Sequence, residues 1–169
     1  DNGSDSLYAV HTPGGELLYV IDAGTNGRRY CHFDETGNTV FLTDDSGVVT
    51  DSYAYSPYGR LQQKQGNFPN PFLFGGRYSA IALPSGSIFN MRHRWYDGVS
   101  GRFLTRDPNW ARSINPNENN PYAFSRSNPL LYTDPLGLNA RVNQSGVHTD
   151  ISVDIWEGDR IVGTLTLSF

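Results

Sequence analysis

Glycines fall at a regular beat through the first part of the chain: Gly14-Gly15, Gly24 and Gly27, Gly37, Gly47 and Gly59. Between them lie short runs suited to strands, at 16–21, 29–33, 40–43 and 48–55. A strand, a Gly-bearing turn and a further strand about every ten residues spell a meander of β-hairpins. The turns carry their own chemistry. Asp34-Glu35-Thr36-Gly37-Asn38 and Asp44-Asp45-Ser46-Gly47 place Asp at the start and Gly where positive φ is needed. Their carboxylates read as turn formers, not metal ligands. No run of ten or more residues has an apolar stripe at helical spacing, and 109–114 comes nearest to a helix. The expected class is all-β with little helix.

Composition agrees. There are 18 Gly, 10 Pro, 10 Tyr and 9 Phe among 169 residues, without the Leu, Ala, Glu and Lys bias of helical proteins. A length of this order fits one domain with one core. The net charge of −4 and a pI near 5.4 give no basic footprint, so nucleic acid is not an expected partner. The single cysteine, Cys31, has no partner for an internal disulfide, and nothing beside it has Cys/His metal spacing. It reads as a small buried hydrophobe, and neither metal nor cofactor is expected. No signal peptide and no apolar run long enough to span a bilayer is present. The abrupt start at Asp1 and the end inside an alternating pattern at Phe169 are expected of a piece of something longer.

Two Asp-Pro steps stand out, Asp107-Pro108 and Asp134-Pro135, the second continuing as Leu136-Gly137-Leu138 into a tail of different character. Asp and Pro punctuate strand ends without doing chemistry, so both steps have a plain reading as turns. Two carboxylates at a marked junction also fit a self-cleavage device. The residues leave both open. Around Tyr96-Asp97, Arg92, Arg94 and Arg102 read as solvated strand residues or as ion-pair partners of turn carboxylates. In the tail, Val147, Thr149, Ile151, Val153 and Ile155 alternate with polar residues, and Ile161, Leu165, Leu167 and Phe169 follow beyond Glu157-Gly158-Asp159. That is a hairpin by period. His148 and Asp150 share a strand face and, without a third partner, read as surface residues.

The segment Tyr53-Ala54-Tyr55-Ser56-Pro57-Tyr58-Gly59-Arg60 begins a series of landmarks. Asn70-Pro71-Phe72, Phe74-Gly75-Gly76-Arg77-Tyr78 and Arg92-His93-Arg94-Trp95-Tyr96-Asp97 follow, then Gly101-Arg102-Phe103-Leu104-Thr105-Arg106-Asp107-Pro108. Asn120-Pro121-Tyr122-Ala123-Phe124, Asn128-Pro129 and Asp134-Pro135-Leu136-Gly137-Leu138 complete the set. In order and spacing these residues resemble the Rhs (YD-repeat) family, specifically its repeat-associated core. The resemblance runs from about residue 30 to 138. Two departures stand within it: Gly98 follows Tyr96-Asp97 where the family usually has Pro, expected to loosen one turn, and Asn109-Trp110-Ala111-Arg112 replaces a usual glycine-rich turn after Asp107-Pro108.

The resemblance implies a β-shell of which this chain holds the C-terminal end, with 1–138 as core and 139–169 as the start of a variable or cargo segment. It implies a secreted or cell-surface bacterial protein. It also implies self-processing by an aspartyl-protease-like reaction between Leu138 and Asn139, with Asp107 and Asp134 as the carboxylate pair and Arg106 beside the first. Asp97 is an alternative second acid. Such a reaction needs one carboxylate ionised to draw a proton from water and the other protonated to polarise the scissile carbonyl. A fixed guanidinium would hold one partner ionised or stabilise the oxyanion. Phe103, Trp110, Tyr122, Phe124 and Tyr132 are the nearest source of a dry wall, or plain core.

Other classes remain open at this stage. A structural module would assemble as a filament or surface scaffold through strand edges, with the upstream shell or identical subunits as partners and the 139–169 hairpin as the donated element. A carbohydrate or cell-surface contact would rest on exposed Trp95, Trp110 and Trp156. The tail, about 31 residues, is too short for a folded toxin of its own.

Overall fold

The computed structural model of the chain describes residues 7–108, 120–138, 140–142, 151–157 and 160–167. Six antiparallel strands follow one another as a meander: β1 (Leu7–His11), β2 (Leu17–Asp22), β3 (Arg28–Phe33), β4 (Thr39–Thr43), β5 (Val49–Tyr55) and β6 (Leu61–Gln65). Four of their five turns, at 12–16, 34–38, 44–48 and 56–60, are built alike. In each, the first residue's carbonyl accepts the N–H of a glycine three positions on, and its N–H donates to the carbonyl of the fifth residue, all at 2.8–3.0 Å. The first side chain, Thr12, Asp34, Asp44 or Ser56, also accepts the N–H of that fifth residue at 2.9–3.1 Å. The glycine φ values, between 78° and 87°, lie where an L side chain is strained. Pairing slips by one residue beside each of these turns, at Val10/His11, His32/Phe33, Leu42/Thr43 and Ala54/Tyr55. The glycine beat is therefore a repeated bulged hairpin, and the turn aspartates Asp34 and Asp44 form it.

A second meander, in the order β10-β9-β8-β7, follows: β7 (Ile81–Ala82), β8 (Ile88–Met91), β9 (Arg94–Asp97) and β10 (Arg102–Phe103). Two separate hairpins complete the described chain, β11 (Tyr132–Thr133) with β12 (Arg141–Val142), and β13 (Ile151–Glu157) with β14 (Arg160–Leu167). Among the described residues no α-helix occurs, only 3-10 turns such as Gly76–Tyr78 and Ser125–Ser127. The fold is all-β, as the glycine pattern requires. The 109–114 stretch, Trp110, His148 and Asp150 lie outside the described residues. The tail hairpin has the strands that the alternation predicted, through β13 and β14.

The main core joins both meanders. Leu42 and Tyr53 come from the first, Phe89, Met91, Tyr96 and Phe103 from the second, and Leu73, Phe74 and Ala80 from the connection between them. Phe74 is the hub, with ring centroids 5.6–6.0 Å from those of Tyr55, Phe89, Tyr96 and Phe124. Each such ring stabilises the fold by about 1.5–3 kcal/mol through burial. Two of the phenols in this core find carbonyls: Tyr96 donates to Tyr58 at 2.7 Å, and Tyr55 to Thr39 at 2.9 Å. Cys31 is half-buried and packs against this cluster and a smaller one built on Leu17, Val20 and Phe72. Gly98 does more than loosen a turn. Its N–H donates to the Ser87 carbonyl at 2.8 Å, and an added Cβ would stand 2.9 Å from the Gly59 backbone, so Pro at this position would lose a donor and collide.

Candidate functional site

Strand β9 runs Arg94-Trp95-Tyr96-Asp97, and its period of two decides where Arg94 goes. Tyr96 is wholly buried, so Arg94, two residues earlier, shares its inward face while Trp95 points out, 38% exposed. A guanidinium carried into a core must have its donors filled. Arg94 Nη2 lies 3.0 Å from Asp107 Oδ2 and 3.3 Å from Asp134 Oδ2. Nη1 donates to the Pro121 carbonyl at 3.2 Å, and Nε donates to the Gly137 carbonyl. The guanidinium carbon stands 3.6 Å over the Phe103 ring centroid. Burial is the largest influence on this group and lowers its proton affinity, while Asp107 and Asp134 push it back up. An arginine between two carboxylates stays charged.

Asp134 reaches the site by way of a turn already described. Asp134-Pro135-Leu136-Gly137-Leu138 repeats two of the three hydrogen bonds of the meander turns: Gly137 N–H donates to the Asp134 carbonyl at 3.3 Å, Leu138 N–H donates to Asp134 Oδ1 at 2.9 Å, and Gly137 has φ 67°. It joins β11 to β12 as its relatives join β1 to β6. The difference is the second carboxylate oxygen. Asp44 lies in an exposed turn, whereas Asp134 is 4% exposed and its Oδ2 meets Arg94. The Gly137–Leu138 peptide is consequently held on both sides, its carbonyl by Arg94 and its N–H by Asp134.

Asp107 arrives from the other direction. The chain beyond β10 runs against 121–123, with Phe103 N–H donating to Tyr122 and Asp107 N–H donating to the Pro121 carbonyl at 2.9 Å. Pro121 thus accepts from both Asp107 and Arg94, which fixes the two relative to each other. The next turn is strained: Ser125, Arg126 and Ser127 all have positive φ, 48°, 53° and 59°. It is anchored by Tyr58, whose hydroxyl donates to the Ser127 carbonyl at 3.0 Å. Since one Nη2 touches both acids, the sum of its two contacts caps the separation of their Oδ2 atoms at about 6 Å. Asp107 is the more accessible acid, its side chain 17% exposed against 3% for Asp134.

The sequence profile of the teneurin YD-shell matches residues 10–130, which takes in the end of β1, all of β2 to β10 and the Asp107 limb of this site. The chain belongs to the teneurin YD-shell family. Curated relatives of this YD-shell segment include a tRNA3(Ser)-specific nuclease WapA from Bacillus spizizenii, 25% identical over 81% of the chain and 6% of the relative. Another is a double-stranded DNA deaminase toxin A from Burkholderia cenocepacia, 29% identical over 70% of the chain and 8% of the relative. Among solved structures, the Photorhabdus luminescens Tc holotoxin pore superposes with a TM-score of 0.65 at 20% identity, over 83% of the chain and 7% of that chain. The TcdB2-TccC3-Cdc42 crystal structure gives 0.64 at 23% identity, over 79% and 6%. The chain therefore spans less than a tenth of each of these proteins, and the Rhs/YD-repeat resemblance holds at the level of family and fold.

Of the residues singled out from the YD-shell sequence, Asp107 and Asp134 are brought together, through an intervening arginine that is not Arg106. Arg106 is exposed. The expectation that Arg94 is a solvated strand residue is corrected, because it shares the inward face with Tyr96; as an ion-pair partner of a turn carboxylate it is correctly read. The parity with Tyr96 was the signal that marks it. Arg92 and Arg102 are exposed. Asp97 forms the β9–β10 turn: burial pushes its carboxyl up, but hydrogen bonds from Ser100 and Val99 outweigh this and hold it low. Of the expected dry wall, Phe103 and Phe124 are core, Tyr132 is half-buried, and Tyr122 is exposed. Leu138 is half-buried; Asn139 and Trp110 lie outside the described residues. Among the described residues no group of three or more His, Cys, Asp or Glu side chains is gathered as a metal would need.

Proposed function

We propose that this YD-shell segment ends in an intramolecular aspartyl autoprotease that hydrolyses its own chain between Leu138 and Asn139, separating the 1–138 core from the 139–169 segment. The single observation behind this reading is the grip of Arg94 and Asp134 on the Gly137–Leu138 peptide, one bond upstream of the cut, with Asp107 on the same guanidinium. Asp107, the acid nearer to solvent, draws a proton from water. Both carboxylates are ion-paired with Arg94, so the second must first take up a proton from solvent; the water oxygen then adds to the Leu138 carbonyl carbon, whose oxygen takes that proton. The C–N bond then breaks, leaving a Leu138 carboxylate and an Asn139 amine that carries the returned proton. Arg94 holds both acids in register. The relatives' names, a nuclease, a deaminase toxin and a Tc holotoxin, support a secreted protein whose downstream segment is cargo and whose partner is the upstream shell.

The test is intact-mass analysis of the full-length protein that carries this segment. A fragment ending at Leu138, absent from Asp107→Asn and Asp134→Asn, is the expected result. A chain that stays whole through prolonged incubation in its complete shell overturns the proposal.

A further inference from the structure

Hairpin β11–β12 crosses the proposed cut. Tyr132 pairs with Val142 and Thr133 with Arg141, so residues downstream of Leu138–Asn139 are hydrogen-bonded to residues upstream of it. The upstream strand is itself tied to the body: Thr133 Oγ1 donates to the Thr36 carbonyl at 3.5 Å, and the Arg126 guanidinium lies 5.2 Å over the Tyr132 ring. On the near side of the cut, recognition is by the Asp134 and Arg94 side chains acting on the main chain of 137 and 138. On the far side, β12 pairs with β11 through the main chain.

We infer that residues 141–142 are the docking element for the far side of the cut, read through their main chain by β11. This rests on the proposed autoprotease and specifies its substrate. Main-chain pairing supplies affinity and register while leaving side chains free, which is the physical basis of strand addition. A site built this way accepts any downstream sequence that is able to pair, with proline the one residue that the ladder refuses, since it lacks the N–H and fixes φ. The second consequence is order of events. The ladder must form before the cut, because its two strands flank the peptide that Arg94 and Asp134 hold.

The experiment replaces Arg141-Val142 in the full-length protein by Ala-Ala or by Pro-Pro and follows the Leu138-ended fragment over time by mass. The expected result is Ala-Ala cut within about threefold of wild type and Pro-Pro slowed about tenfold or more, with the melting of the core unchanged. Pro-Pro cut at the wild-type rate overturns the inference while leaving the autoprotease standing. Ala-Ala slowed as much as Pro-Pro overturns it also, since the side chains would then be what is read. A wild-type chain that is never cut sinks the autoprotease itself, and so is told apart from both.

Discussion

Arg94 Nη2 lies 3.3 Å from Oδ2 of Asp134, and both side chains are 3% exposed. This contact closes the 134–138 turn onto β9 and brings two groups of opposite charge out of water together. A buried pair of this kind is weak evidence for stability as a pair, but removing one partner strands the other. Arg94→Ala should destabilise the core by about 3–5 kcal/mol, measured by urea denaturation. Arg94→Lys keeps a charge but loses the fork that reaches Asp107, Asp134, Pro121 and Gly137 together. It should cost less stability than Ala and still suppress the Leu138-ended fragment. Cutting at the wild-type rate in Arg94→Lys would remove Arg94 from the site's function.

Gly137 and Gly47 form a matched pair of probes, because both occupy the positive-φ position of the same kind of turn, at 67° and 78°. A Cβ at Gly47 meets open space, whereas at Gly137 it stands 2.9 Å from the Met91 carbonyl oxygen. Gly47→Ala should therefore cost only the left-handed strain, about 1–2 kcal/mol. Gly137→Ala should cost more, and denaturation of the two variants side by side reads the difference. Equal costs would mean that the 134–138 turn does not pack on β8–β9 as described.

His32 gives the chain a pH dependence of known sign. Its ring is stacked on Phe41 with centroids 4.3 Å apart and shares a hydrogen bond with Thr43 Oγ1 at 3.0 Å. Burial holds its imidazole below the ordinary value. The unfolded chain thus binds more protons than the folded one in the window just below about 6.5, so stability rises with pH across it and is lost as pH falls. The wild-type advantage over His32→Gln in urea midpoint should grow between about pH 5 and pH 7. A difference that is flat with pH would contradict the assignment.

Burial pushes the Cys31 thiol up to about 12. Since the thiolate is the reactive form, alkylation of the native chain at pH 8 should run about a thousandfold slower than in denaturant. Mass labelling over time measures it. Native labelling within tenfold of the unfolded rate would show that the interface between the two hydrophobic clusters opens readily.

What the sequence determined alone is the local grammar. The Gly beat and the Asp, Ser or Thr at each turn start are short-range chemistry: one side-chain oxygen and one left-handed glycine satisfy the backbone of five residues, whatever surrounds them. That is why the all-β meander and the tail hairpin were legible, and why Asp134-Pro135-Leu136-Gly137-Leu138 reads as a turn. The family landmarks added the pairing of Asp107 with Asp134 as an expectation, without a means of saying what joins them. Only the tertiary structure decided that. Arg94 lies 13 residues before one acid and 40 before the other, and its identity as their bridge depends on which face of β9 meets the core, on the Pro121 carbonyl, and on a second meander folding over the first. Charge pairing in a core is fixed by what burial leaves unsatisfied, and burial is a property of the packed whole.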